Sequence, residues 1–324
     1  MSGVNIPTDS SHLSDQERAD LIAEFGGLVD SQFARQSMMG RFFNVQNITG
    51  TDTKIVRRSG KTKLQKLTDG VRPAANKTNY GKASVTVDTI VLARDNQSLI
   101  NSFQADFNVR AELSEDHGKE LGKFFDQAFL IQAIKGALMD APSGLNGAIG
   151  AGRPKTLSAT GDELDPDKLY KELAQIVVDM QEDEIDTDEC ALFVSPTQEE
   201  VLLNHDKLIS RDFSTDNGDF ADGKIMTVKG VPIVKTARIP KAAITGHYLS
   251  NDSNDNAYDL SAAEARAKAI ILHPKSLLAG ETIPLTSNIF WSDIEKQWFI
   301  DAWLAFGVSN RRPDVCGAVF AAAP

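Results

Sequence analysis

FNVRAELSEDHGKELGKFFDQAFLIQAIKGALM, residues 107–139, is the stretch that decides the fold. Apolar or small side chains recur at Leu113, Leu121, Phe124, Phe125, Ala128, Phe129, Ile131 and Leu138, with Glu112, Asp116, Glu120 and Lys123 in the gaps. Spacing of this kind lays one apolar stripe along a helix. About 30 helical residues would reach roughly 45 Å, the length of a spine on which other elements pack.

On the C-terminal side, APSGLNGAIGAGRP at 141–154 reads as a Gly/Pro loop. A second helix is marked by Asp165 as N-cap, Pro166 at the first helical position, and a stripe of Leu169, Leu173, Ile176, Val177 and Met180. CALFVS at 190–195 predicts a short buried strand, and Ser195-Pro196 opens a helix carrying Val201 and Leu202. Residues 228–236 and 267–274 predict strands, and so do 296–309 and 317–323 beyond an intervening Gly/Pro-containing stretch.

On the N-terminal side, residues 1 to about 20 are polar and Ser/Asp-rich and predict a flexible or conditionally ordered arm. Leu21, Phe25, Leu28, Val29 and Phe33 follow near helical spacing, weakened by Gly26-Gly27. Residues 54–66 alternate around Ser59-Gly60, which predicts a two-stranded hairpin there, and ASVTVDTIVLA at 83–93 predicts one long strand. The order of elements is mixed α+β with no fixed-period repeat.

Charge is unevenly spread. The 324-residue chain carries a formal net charge of -11. Residues 163–222 hold 18 Asp and Glu against 4 Lys and Arg, a local -14 that leaves about +3 elsewhere. Against this, Lys54, Arg57, Arg58, Lys61, Lys63 and Lys66 place six positive charges between 54 and 66 with no acid among them. Three uses of such a segment compete: a phosphate loop, a nucleic-acid patch, or an arm that docks on something acidic.

Gly60-Lys61-Thr62 has the tail of a phosphate-binding loop, but Ile55 stands where the first glycine is required. The basic segment contains no aromatic residue on which a base could stack. A calcium loop starting at Asp216 fails, because Thr227 sits where the bidentate Glu belongs. The run from Glu182 to Glu189 reads as a solvated helix end or a docking surface. His12, His117, His205, His247 and His273 form no metal-ligand spacing, and no GxSxG elbow surrounds Ser195. Cys190 and Cys316 read as buried free thiols. No apolar run approaches a membrane span, and the first residues lack the basic and apolar regions of a signal peptide. These residues point to no catalytic centre, metal or cofactor, and favour the docking arm.

FGGLVDSQFARQS at 25–37 and RRPDVCGAVFAA at 311–322 resemble segments near the two ends of the major capsid proteins of T7-like short-tailed phages. Pro313, Gly317, Ala318 and Val319 stand in the family's terminal pattern, with Asp314 where Glu is frequent. Between them the order of elements agrees rather than the residues. The resemblance implies the HK97-like fold: an N-terminal arm (1–50), an E-loop hairpin (51–82), a peripheral domain (83–164 and 286–324, spine 107–139) and an axial domain (165–285). It implies a structural shell subunit gathered in pentamers and hexamers around a double-stranded DNA genome. Implied partners are other copies, a scaffolding protein, a portal, possibly a decoration protein, and packaged DNA only weakly, with no membrane. The implied locations are the virion and, during assembly, the host cytoplasm.

Inter-subunit contacts are then expected at Lys54, Arg57, Arg58, Lys61, Lys63, Lys66, Phe25, Phe33, Arg35, Arg311 and Arg312. The counter-surface of the basic hairpin is expected on an adjacent copy. Lys61, Lys63 and Asn310 have the residue types of the Lys–Asn cross-link found in some relatives of this fold, but the T7-like group is not known for it and none is assigned. Two alternatives stand: an encapsulin-type compartment shell, and a nucleic-acid-binding protein using 54–66.

Overall fold

The computed structural model describes residues 15–62, 64–67, 69–70, 72, 78–98, 109–145, 147–205, 218–219, 224–225 and 227–323. In chain order the helices are α1 (Asp15–Gln36), α2 (Met39–Phe42), α3 (Val109–Leu138), α4 (Pro166–Glu182) and α5 (Pro196–Leu203). The main strands are β1 (Val45–Asn47), β2 (Thr53–Ser59), β3 (Tyr80–Thr86), β4 (Val91–Ser98), β5 (Arg153–Thr156) and β6 (Ala191–Val194). After the short pair β7 (Gly218–Asp219) and β8 (Lys224–Ile225) come β9 (Thr227–Val228), β10 (Val231–Lys235), β11 (Ala267–Leu272), β12 (Leu277–Ser292), β13 (Gln297–Asn310) and β14 (Cys316–Phe320). No described helix is long and apolar enough to cross a membrane.

The chain forms two compact units. One comprises 1–52, 87–126 and 280–307; the other comprises 53–86, 127–279 and 308–324. In the first, a four-stranded sheet has the order β1-β12-β13-β4. On β13, Trp298, Ile300 and Ala302 are at most 2% exposed. Helix α1 is continuous through Gly26-Gly27, where the sequence predicted weakness. A Cβ on Gly26 would stand 2.8 Å from Ser287 Oγ, so this glycine lets α1 press on the sheet. The spine α3 answers with Gly118 and Gly122, one turn apart, and a Cβ on Gly118 would lie 2.7 Å from the Val29 carbonyl oxygen. Close helix packing therefore offsets the poor helix propensity of glycine.

The turn from α1 into α2 is held by Asp126, a buried carboxylate on α3. It accepts from Ser37 Oγ at 3.0 Å and from the backbone amides of Met38 and Met39 at 2.9 and 3.1 Å. Those amides begin a helix and have no partner within it. His117 lies on the same unit's α3, its Nε2 2.7 Å from Asp95 Oδ2 and its ring edge-on to Phe25.

In the second unit a six-stranded sheet has the order β5-β14-β11-β6-β10-β9. Helix α4 covers it with the stripe read from the sequence: Leu169, Leu173, Ile176, Val177 and Met180 are fully buried. The Asp165 side chain caps α4 through the amides of Asp167 and Lys168, and Ser195 caps α5. The C-terminal strand β14 pairs with β11 and, in parallel, with β5. Helix α4 approaches it closely: a Cβ on Gly317 would fall 2.4 Å from Ile176 Cγ2.

Three strand expectations change. Ser59-Gly60 is not a hairpin turn; β2 pairs with β3, twenty residues away, from Thr53↔Thr86 to Ser59↔Tyr80. The predicted strand 83–93 is two strands, because the ladder closes with the Val87 amide on the Asp52 carbonyl and β4 then joins β13. Residues 277–292 form a strand the sequence did not suggest, since Gly280 and Pro284 read as breakers. Its neighbour on one side is the three-residue β1, so much of that margin is an edge, where proline is tolerated. Of the suggested calcium loop, Asp216 and Asp222 lie outside the described residues.

Candidate functional site

The basic segment begins on the ladder formed by β2 and β3, which is part of the second unit. Directly opposed residues in an antiparallel pair share one side. Lys54, Val56 and Arg58 thus share a side with Gly81, Ala83 and Val85, while Ile55 and Arg57 share the other with Tyr80, Lys82 and Ser84. Ala83 and Val85 are buried, and Ile55 and Tyr80 are 53% and 73% exposed. On the exposed side Arg57 stands directly opposite Lys82, a like-charge pair that weakens the ladder.

The root of the hairpin is pinned by backbone. The Gly60 amide donates to the Asn79 carbonyl at 2.8 Å, and the Lys61 amide to the Leu145 carbonyl at 3.3 Å. A Cβ at Gly60 would stand 2.9 Å from Asn79 O and 3.1 Å from Leu145 O, which explains a glycine there. Arg58 Nη2 donates to the Asn310 carbonyl oxygen at 2.8 Å, tying β2 to the end of β13. Beyond Gly60 the described residues have no regular structure, and Leu64 and Leu67 are 97% and 74% exposed.

A cavity of 770 Å³ opens beside this root, entirely within the second unit. Its lining brings Arg57, Arg58, Lys61, Arg311 and Arg312 together with Glu182, Asp183 and Glu184 at the end of α4, and includes Ile149 and Asp314. Three acids at the C-terminal end of a helix oppose its dipole. Arg153 relieves part of this by pairing with Asp183, and Lys155 holds Asp179 on the preceding turn at 2.7 Å. Arg312 chelates Asp314 through Nε at 3.2 Å and Nη2 at 2.5 Å. Arg58 is left with less: its Nε is buried and has no hydrogen-bond partner among the described residues. Burial, then the charge of Arg311, hold its guanidinium below the usual arginine range, while Asp314 pulls the other way.

The residues expected at inter-subunit contacts fall in different places. Arg57, Arg58, Lys61, Arg311 and Arg312 converge on the cavity, whereas Lys54 and Lys66 are exposed away from it. Lys63 lies outside the described residues. Phe25 is buried on α1, and Phe33 meets Phe125 edge-on at 5.5 Å, so both serve the first unit's own packing. Arg35 is exposed near the end of α1. The sequence reading missed Tyr80 and Lys82, which become part of the site only because β3 pairs with β2. It also missed that Glu182, Asp183 and Glu184 face the basic root within the same unit.

Among the described residues, no group of three His, Cys, Asp or Glu side chains is placed to hold a metal ion. Cys190 and Cys316 are free and buried, each thiol pushed up to about 12 by burial. The site is a charged surface beside the loop-side end of the β2–β3 ladder, suited to holding another macromolecule.

No protein-family model matches the chain, and no curated protein matches it. Solved structures do. The chain of the bacteriophage PhiM1 mature capsid is 25% identical over 87% of this chain and 86% of its own, with a TM-score of 0.76. The capsid of cyanophage P-SCSP1u matches with a TM-score of 0.78 over 89% of each chain at 17% identity, a likeness of fold. A virus-like particle from Pyrococcus furiosus covers 93% of this chain and 99% of its own at 13% identity and a TM-score of 0.54. The mixed helix-and-sheet fold is thus HK97-like along nearly the whole length. Sharing that arrangement with phage capsids, and a quarter of its aligned residues with one of them, this chain is a structural shell protein of the phage major capsid type.

Proposed function

We propose that the chain builds an icosahedral shell from pentamers and hexamers around a double-stranded DNA genome, in the manner of the T7-like short-tailed phages. The observation that carries this is the exposed side of the β2–β3 hairpin, where Arg57 opposes Lys82 and Ile55 and Tyr80 lie open to solvent. An acidic and partly apolar surface on a neighbour relieves both conditions. Each exposed ion pair contributes only about 0–1 kcal/mol, yet repetition around a closed shell sets register and rejects wrong pairings.

The segments divide by role. Residues 1–50 act as an N-terminal arm and 51–82 as the E-loop reaching a neighbour. Residues 83–164 and 286–324 form the peripheral part, and 165–285 the axial part, with β14 sharing the sheet of the axial segments. The role is geometric, with no catalytic step and no cofactor. A scaffolding protein guides assembly in the host cytoplasm, a portal occupies one vertex, and a decoration protein can cover the outside. The net charge of -11 keeps contact with packaged DNA weak.

Particle mass tests the reading, measured by light scattering with negative-stain microscopy. Pentamers, hexamers or closed shells are the expected result. A stable monomer or dimer in the presence of a scaffolding partner overturns it and favours DNA binding through Arg57, Arg58 and Lys61. The likeness to the Pyrococcus furiosus particle favours an encapsulin-type compartment as second reading. Shells that enclose a cargo enzyme and no genome distinguish it.

A further inference from the structure

The cavity at the hairpin root is lined by side chains of both signs. Arg58 presents a buried Nε without a partner among the described residues, with the charge of Arg311 beside it. In the same lining Asp183 is taken by Arg153, while Glu182 and Glu184 also border the cavity. Ile149 adds an apolar group to the lining. At 770 Å³ the volume lies in the range of about 300–1,000 Å³ typical of pre-formed binding sites. An inorganic anion would satisfy the arginines and be repelled by the glutamates. What fits is a short peptide carrying carboxylates, an apolar side chain and an amine together.

The chain contains one exposed turn of that composition among its described residues. Asp293, Ile294, Glu295 and Lys296 connect β12 to β13, all four exposed, with Ile294 at 95%. Trp291 Nε1 donates to Asp293 Oδ1 at 2.8 Å, which fixes the base of the turn. Lys296 adopts the left-handed conformation at φ 54°, so the backbone reverses tightly and presents its side chains outward.

We propose that the 293–296 turn of one copy seats in the hairpin-root cavity of a second copy. Asp293 and Glu295 meet Arg58 and Arg311, Lys296 meets Glu182 and Glu184, and Ile294 covers Ile149. The contact rests on the shell reading above and gives it a partner surface: the seat of the basic hairpin receives an acidic turn from a neighbour. Charge-assisted hydrogen bonds to the guanidinium groups that line the cavity supply direction as well as attraction.

A charge exchange in the full chain tests this. Arg58→Glu with Arg311→Glu, and separately Asp293→Lys with Glu295→Lys, each lower the yield of closed particles about tenfold or more by placing like charges together. All four substitutions combined restore it to within roughly threefold. A turn variant that assembles like the wild type, or a combined variant with no recovery, overturns the contact. Should the arginine variant fail to fold, a second measurement decides. Ala148→Cys, in the cavity lining beside Ile149, and Ile294→Cys are made in separate chains, mixed, assembled and oxidised; a cross-linked heterodimer supports the contact and its absence overturns it. Wild-type protein that forms no particle with a scaffolding partner refutes the shell reading itself, whereas assembly without the cross-link refutes only this contact.

Discussion

Gly118 on the spine stands so close to Val29 on the first helix that a methyl group added to it would lie 2.7 Å from the Val29 carbonyl oxygen. The neighbour is backbone and cannot rotate away. Gly118→Ala is therefore expected to lower stability by about 1–3 kcal/mol through overpacking. Gly27→Ala in α1, where nothing lies within 4 Å of the added carbon, is expected to raise it by about 0.5–1 kcal/mol. Urea unfolding of the two variants checks both signs in one experiment.

Asp126 accepts three hydrogen bonds in a site closed to water. Asp126→Ala leaves the Met38 and Met39 amides and the Ser37 hydroxyl without their acceptor, at a cost of about 2–4 kcal/mol. Hydrogen exchange at those two amides should rise with the loss, while exchange in the six-stranded sheet stays slow.

Gly317 makes the C-terminal strand flat enough for α4 to lie on it, its hypothetical Cβ being 2.4 Å from Ile176. Gly317→Ala should cost about 1–3 kcal/mol. Because the clash is with the Ile176 Cγ2 methyl, Ile176→Leu in the same chain, which removes that β-branch at nearly constant volume, should recover part of the loss. A melting temperature for the double variant no higher than that of Gly317→Ala alone would contradict the geometry.

His247 and His273 set a pH dependence. Burial lowers both imidazoles, aided for His273 by Lys275 and opposed by Glu189; for His247, Asp259 opposes it. In each, Nδ1 accepts a backbone amide, from Leu249 at 3.2 Å and from Lys275 at 3.0 Å, so the ring is neutral when folded. The folded state binds fewer protons than the unfolded one below about pH 6.5. Their stabilising contribution is complete above that value and is lost as pH falls. Urea midpoints should decline between pH 7 and 5, and replacing both histidines with Gln should flatten the decline.

Arg57→Glu should relieve the opposition to Lys82 within one ladder while removing a cation from the exposed side. Subunit stability is expected to hold or rise by about 0.2–1 kcal/mol. Particle yield is expected to fall, most sharply at low ionic strength where the repulsion it creates is least screened. Light scattering across a salt series reads the second effect and thermal unfolding the first.

Much of the fold was legible because its signals are local. The α4 stripe, the caps Asp165 and Ser195, and the length of α3 each depend on residues within a few turns. The terminal segments at 25–37 and 311–322 were informative because glycines there, Gly26 and Gly317, mark close approaches. What the sequence concealed was pairing across distance. Nothing near Ser59 tells that β2 joins Tyr80 rather than Thr62, and β12 was hidden by a glycine and a proline that a strand edge tolerates. The acidic run and the basic run were both visible as compositions. That Glu182 and Arg58 line one cavity follows from a fold that brings together residues over a hundred positions apart.

The two free cysteines have a practical consequence. Both are buried with thiols pushed up to about 12, so almost no thiolate is present at neutral pH. Thiol reagents can then modify the native subunit only when it opens. Cys190 precedes β6 and Cys316 begins β14, two strands of the same sheet separated by β11. Their rates of alkylation serve as a pair of internal clocks, one reporting the middle of the sheet and one its C-terminal strand. Equal rates would mean that the sheet comes apart in one event, and a faster Cys316 would mean that the C-terminal strand peels away first.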